Sequence, residues 1–301
     1  MPSPGDIVAY CVLAALQGVL VILPRPVGSA VWARLRSRGW TVVLPGALMV
    51  GTFGVLAVPH GAAGLAVLAA ATTPVLVGVA VMGVVRGRRW LWIAVLPVLA
   101  AGAVTHQSWP SALATSALTA LGCLAVGAAL VRLTPLPWLA GGIAAMCILD
   151  VALLATGVGQ PAAHQLDSAL SQSPLPEFHR AQVGSVSKDY PDLVLAAVLG
   201  AALAGNTRQL TAAMLVAVLS AANGLLFLIA DMLPATVPVG IAAAVVVLLE
   251  RRSRRSGCTG HNNRNQANGS VAATSVPAPG GLSIVRRPPS AVSLSPMPTS
   301  P

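Results

Sequence analysis

The residues in this chain whose type and placement could do chemistry are three aspartates in apolar surroundings. Asp150 lies inside the segment Leu136–Val158, which otherwise reads as a membrane-spanning helix. Asp192 and Asp231 fall near the ends of later apolar segments. An ionisable group at bilayer depth costs from roughly 2.5 kcal/mol upward, and it survives only when it faces protein or trapped water and has a partner. Two carboxylates held close share one proton, because the second cannot ionise cheaply beside the first. One can then draw a proton from water while the other donates to a carbonyl, which is acid–base hydrolysis without a metal or a nucleophilic side chain.

Other chemistries find less footing. There is no HExxH and no GxSxG, and Gly184-Ser185 sits in a loop with no histidine placed to activate it. The four cysteines (Cys11, Cys123, Cys147 and Cys258) are isolated, so neither a disulfide framework nor a zinc site is expected. His60, His106, His164 and His179 are scattered through loops without metal-ligand spacing. The expectation is no metal and no cofactor.

The elements that must position these acids are set by composition. The 301 residues are 55% hydrophobic and only 9% charged, with mean hydropathy +0.79. A soluble domain carries about 25% charged residues, so an all-α, polytopic membrane helix bundle is expected. Nine apolar segments can be marked off, at roughly 6–24, 41–58, 62–85, 90–105, 110–131, 136–158, 191–205, 209–230 and 233–250. Most reach the ~17–25 residues that cross about 30 Å of hydrocarbon; the fourth and seventh are short. Trp40, Trp90, Trp109 and Trp138 fall at segment ends, where interfacial aromatics sit. The first segment lacks a basic leader and a small-residue cleavage site, so it is read as a retained helix. Gly200 with Ala204, and Gly141-Gly142, read as helix-packing positions.

This divides the chain into a transmembrane domain over 1–250, with sub-bundles 1–135 and 136–250, and a tail over 251–301. The tail is rich in Arg, Asn, Gln, Gly, Ser and Pro and too poor in apolar residues to offset the entropy of ordering, so it is expected to be disordered. The loop over 160–190 is expected to hold a short amphipathic helix around Gln165–Ser171.

Of the 18 Lys and Arg residues, only Arg180 and Lys188 fall in loops after even-numbered segments. The positive-inside rule then places the N-terminus outside and the C-terminus in the cytoplasm of a multi-pass cell-membrane protein. The net charge of +10 is accounted for by this topology, and nucleic acid is not an expected partner. The arginines at 251–255 either fix topology or also touch anionic lipid.

In that orientation Asp150 lies eight residues, about 12 Å, below the outer end of its segment. Asp192, Asp231 and Leu233-Pro234-Ala235-Thr236 fall in the same outer third. Nine spans, an aspartate in the sixth, another at the seventh and a Pro-Ala at the ninth resemble the presenilin and signal peptide peptidase family of GxGD-type intramembrane aspartyl proteases. The resemblance covers 136–250. Its Tyr-Asp motif would map to Leu149-Asp150, its GxGD to Asp189-Tyr190-Pro191-Asp192, and its Pro-Ala-Leu to Pro234-Ala235-Thr236. Both glycines of GxGD are thus replaced, by Asp189 and Pro191. The resemblance implies hydrolysis within transmembrane segments of substrate proteins. Asp150 and Asp192 would be the catalytic dyad, with Pro234 and Ala235 beside the substrate and Asp231 a further candidate acid. The orientation is that of the signal peptide peptidase branch. The run Asp192–Gly200 also resembles prepilin peptidases, which act from the cytoplasmic face, opposite to the arginine pattern.

Plainer roles stand beside these. Asp192 follows a proline at a helix start, where a carboxylate complements the helix dipole. Asp150 could serve as a structural hydrogen-bond acceptor, Pro234 as a helix initiator, and Asp189 and Asp231 as solvated interfacial acids. A transporter or channel using Asp150 as a proton or cation site, or a non-catalytic membrane scaffold, would fit the same segments. One geometric tension is built into the dyad: Asp192 lies at its segment's edge, about 9 Å above the depth of Asp150. The gap closes only if the seventh helix begins earlier, near Ala181–Ser187, or the sixth ends sooner.

Overall fold

A computed structural model describes residues 4–25, 34–58, 60–84, 109–171, 180–227 and 233–261. The fourth expected segment, 90–105, and Asp231 lie outside the described residues. The fold is mostly helical. Its helices are α1 (Pro4–Ile22), α2 (Val43–Ala57, entered through a 3-10 turn at Arg38–Val42), α3 (Gly61–Val84), α4 (Trp109–Leu133), α5 (Leu136–Ala155), α6 (Gly159–Ser171), α7 (Tyr190–Ala202), α8 (Gln209–Leu226) and α9 (Val237–His261). Six helical stretches among the described residues are long and apolar enough to cross a membrane: α1, α2 with its leading turn, α3, α4, α5 and α8. Met1–Arg252 forms one compact unit and Ser253–Pro301 a second.

Several boundaries differ from those read in the sequence. The sixth segment, as α5, stops at Ala155, where Thr156 turns its hydroxyl back onto the Ala152 carbonyl and Gly157 takes a positive φ of 70°. The amphipathic helix around Gln165–Ser171 begins earlier, at Gly159. α9 starts at Val237 and continues through the arginines to His261, so the first part of the expected tail is helical. The all-α expectation meets one exception. Residues 180–189 form an antiparallel hairpin of β1 (Arg180–Val183) and β2 (Val186–Asp189), with Val183 opposite Val186. Its turn is Gly184-Ser185, and Gly184 adopts φ 61°, which glycine reaches without a Cβ penalty.

The core is organised around α7. Every residue from Asp192 to Gly200 in this 13-residue helix is buried. Two glycines allow that enclosure. A Cβ on Gly127 of α4 would sit 2.7 Å from the Ala197 carbonyl carbon, and one on Gly200 of α7 would sit 2.5 Å from the Val21 Cα of α1. The backbones of α4, α7 and α1 therefore approach more closely than side chains allow, as small residues permit between membrane helices. On α5, Gly142 packs against Thr41 in the same way, whereas Gly141 faces open space.

Contacts at the helix termini sort the two ends of the bundle. At one end, Gln209 of α8 donates to the carbonyls of Val21, Ile22 and Pro24, and Asn206 donates to Glu250 of α9 at 2.6 Å. Arg25, Arg208, Arg251 and Arg252 flank these contacts. At the other end, the hairpin tip residue Ser185 is bonded to Asp6, at the start of α1. The start of α2 lies at the finish of α4, where Ser37 donates its N–H to the Leu133 carbonyl and Arg38 stacks 5.4 Å from the Trp138 ring centroid.

Gly200→Ala should destabilise the protein by about 1–3 kcal/mol, because the added methyl meets backbone that cannot yield. Gly141→Ala should be neutral or mildly stabilising, since nothing lies within 4 Å of its Cβ position. Thermal unfolding in detergent distinguishes the two, and equal midpoints would contradict the close approach of α1 and α7.

Candidate active site

Asp150 is held by the segment that leads into α9. Its Oδ2 accepts the Thr236 hydroxyl at 2.7 Å and the Thr236 backbone N–H at 3.3 Å. Thr236 is buried and its carbonyl accepts from the Gly240 N–H, so it opens the first turn of α9. A carboxylate from α5 thus satisfies one of the donors that a helix start leaves without an intrahelical partner. One turn earlier on α5, the Cys147 thiol donates to the Thr236 carbonyl at 3.4 Å. The structural acceptor role considered for Asp150 is therefore real. It also carries Pro234 and Ala235, immediately upstream of Thr236, to the side of the acid.

Asp192 occupies the first turn of α7 after Pro191 and is 6% exposed. The hairpin bears on how far into the bundle Asp192 sits. Its tip lies beside Asp6, while Lys188, three residues further on, donates its ammonium to Gln17 Oε1 at 3.2 Å. Asp6 and Gln17 are eleven residues apart on α1, roughly 16 Å at the helical rise. β2 therefore runs alongside α1 into the bundle and delivers Asp192 well below the end of α1. The seventh helix does not begin earlier; a strand carries it down. The early stop of α5 at Ala155 narrows the gap from the other side, leaving Asp150 five residues, about 8 Å, from that helix end.

The hairpin can enter because its own polar groups are satisfied. The strands pair with one another, and the Gln182 N–H and carbonyl bond to the Ser116 hydroxyl of α4 at 2.8 and 3.1 Å. Alternation places Val186 and Lys188 on the inner face of β2, with Ser187 and Asp189 outward. Outside, Arg180 pairs with Asp167 of α6 at 2.9 Å.

A polar cluster surrounds Asp192. Gln17 is fully buried, and its Nε2 donates to the Asp192 carbonyl at 3.3 Å. Gln17 Oε1 accepts from both Lys188 and the buried Ser220 hydroxyl of α8. One turn along α8, the Asn223 amide nitrogen is buried without a hydrogen-bond partner. Lys188 is 7% exposed; its burial pushes the ammonium below the ordinary lysine value of 10.5, and the nearby Asp192 charge acts in the opposite sense.

Asp150 and Asp192 lie within electrostatic range of one another, and Asp189 is also in range of both. No hydrogen bond joins the Asp150 and Asp192 carboxylates; Asp150 spends its Oδ2 on Thr236. Among the described residues no group of three His, Cys, Asp or Glu side chains could hold a metal ion. Gln17 and Ser220 were not legible as site residues. Each is a single polar side chain in an apolar helix, and only the fold reveals that Ser220 meets Gln17 and that Gln17 meets the Asp192 backbone. Lys188 was read as a loop cation, although the Val183-Gly184-Ser185-Val186 pattern carries a two-residue hairpin signal that would have set its inward register.

Compared with protein-family models, with curated proteins and with solved structures, the chain matches none.

Thr236→Val removes the hydroxyl donor to a carboxylate and should cost about 1.5–3 kcal/mol of stability, whereas Thr236→Ser should retain most of it. Detergent unfolding of the two variants measures this. A valine variant as stable as the parent would mean that the Asp150–Thr236 contact contributes nothing.

Proposed function

We propose that this chain is an intramembrane aspartyl-protease-like protein, hydrolysing peptide bonds in transmembrane segments with Asp150 and Asp192 as its dyad. The observation that carries this reading is the approach of two carboxylates from different helices, Asp150 of α5 and Asp192 of α7, into each other's electrostatic range. Two carboxylates that share one proton divide the acid and base roles between them. A water between them is then deprotonated by one acid as the other protonates the scissile carbonyl. Pro234 and Ala235, joined to Asp150 through the neighbouring Thr236, are the residues that would lie beside a substrate. The partners implied are the lipid bilayer and the transmembrane helices of substrate proteins.

The nine-span topology belongs to this proposal. α4 finishes where α2 starts, α2 finishes where α3 starts, and so α3 and α4 run in the same direction. Two parallel spans in a membrane need an odd number of crossings between them, as the nine-span topology has. The convergence of Arg25, Arg208, Arg251 and Arg252 at the end opposite the hairpin tip supports a cytoplasmic C-terminus and an extracytoplasmic acid site in the cell membrane.

One observation favours a second reading. A buried lysine, glutamine and serine next to Asp192 is also an arrangement that could bind and release a proton or cation during transport. The rivals separate on both acids. In reconstituted vesicles, Asp150→Asn and Asp192→Asn should each lower cleavage of a model transmembrane substrate by at least about 100-fold while leaving expression intact. Full cleavage by Asp192→Asn would end the dyad assignment, and pH-driven uptake that needs Asp150 without any cleavage would favour transport.

A further inference from the structure

Lys188 has no evident place in dyad chemistry, yet it is an ammonium buried inside a membrane bundle. A buried charge persists where it is paired and hydrogen-bonded. Among the described residues, one of its three donors is bonded, to Gln17 Oε1 at 3.2 Å. Gln17 is itself fixed from two further sides, by the Ser220 hydroxyl and by the Asp192 carbonyl. Four elements (α1, β2, α7 and α8) thus converge to hold one cation next to one acid. Among the described residues the titratable or charged groups in range of Asp192 are Lys188 and Asp189 of β2, Asp150 and Cys147 of α5, and Cys123 of α4. Among these residues Lys188 is the one cation in that set, and no contact ion pair ties it down.

We propose that Lys188 is a positioning residue of the acid site: anchored by Gln17 and Ser220, its ammonium supplies the buried counter-charge of Asp192. This rests on the dyad reading for its catalytic consequence, but the coupling of Lys188 to Asp192 can be measured without any catalysis. A structural peg for the hairpin would need only the hydrogen bond to Gln17. A counter-charge needs the positive charge as well.

The sign of the pH effect follows from the burial of Lys188. Its proton is held less tightly in the folded protein than in the unfolded chain, so between the two values the unfolded chain binds more protons and stability rises with pH. The rise is completed as pH passes 10.5, the ordinary lysine value. Thermal midpoints in detergent are therefore compared across alkaline pH for the parent, Lys188→Met, Asp192→Asn and the double variant. The difference between parent and Lys188→Met isolates the Lys188 contribution. With Asp192→Asn the attraction is gone, and the rise should begin at lower pH. An onset that Asp192→Asn leaves unmoved overturns the proposal, whether or not the protein proves to be a protease.

The activity arm uses the full chain and a model transmembrane substrate. The parent should lose kcat along an alkaline limb below pH 10.5 as Lys188 neutralises. Lys188→Arg should keep activity and push that limb upward, because a guanidinium remains charged. Lys188→Met should lose roughly tenfold in kcat with KM little changed, the effect of one pKa unit of lost coupling. A methionine variant with parental kcat and limb overturns the proposal. Should that variant fail to fold, Lys188→Arg decides, and a limb it leaves in place overturns it. A parent that cleaves nothing sinks the protease reading instead, and the stability arm still rules on Lys188.

Discussion

Backbone polar groups taken out of water have to find partners within the protein, and α7 with the segment that leads into it is governed by that rule. Every residue of α7 from Asp192 to Gly200 is buried. Non-helical backbone can lead into such a helix only where its own polar groups are paired. The hairpin over 180–189 meets this demand. Its strands satisfy each other, Ser116 satisfies Gln182, and α1 and α4 cover its inner face. The close approach at Gly127 and Gly200 then seals the helix that follows. The position of Asp192, the burial of Lys188 and the role of Gln17 all descend from this solution.

The two aspartates are held unequally. Asp150 is half-buried and occupied, with one oxygen committed to the start of α9. Asp192 is buried, and its backbone rather than its carboxylate is bonded to Gln17. One acid thereby joins α5 to α9, and the other sits at the junction of hairpin and helix. Motion of α9 relative to α5 would alter the first, and motion of the hairpin the second. The same contacts that stabilise the bundle therefore set the separation of the carboxylates.

Lys188 shows how register converts a loop cation into an interior one. A one-residue slip in β2 would send Lys188 to the outer face and bring Ser187 and Asp189 inward. The Val183–Val186 pairing across Gly184-Ser185 prevents the slip, so a two-residue turn decides where a charge resides.

What the sequence determined by itself was governed by composition and local pattern. Apolar runs of span length, the arginines set between them, and Gly200 and Gly142 as packing sites are properties of contiguous residues, and among the described residues helices formed where the runs lie. Asp150 stood out because a carboxylate within an apolar run is costly wherever that run packs. The tertiary structure decided the rest. That Thr236 binds Asp150, that Ser220 meets Gln17 and Gln17 the Asp192 backbone from helices far apart in the chain, and that a strand rather than an earlier helix start leads to Asp192 are outcomes of packing between distant segments. Such contacts leave no periodicity in the sequence, because a lone polar residue in an apolar helix looks the same whether it meets a partner or lipid.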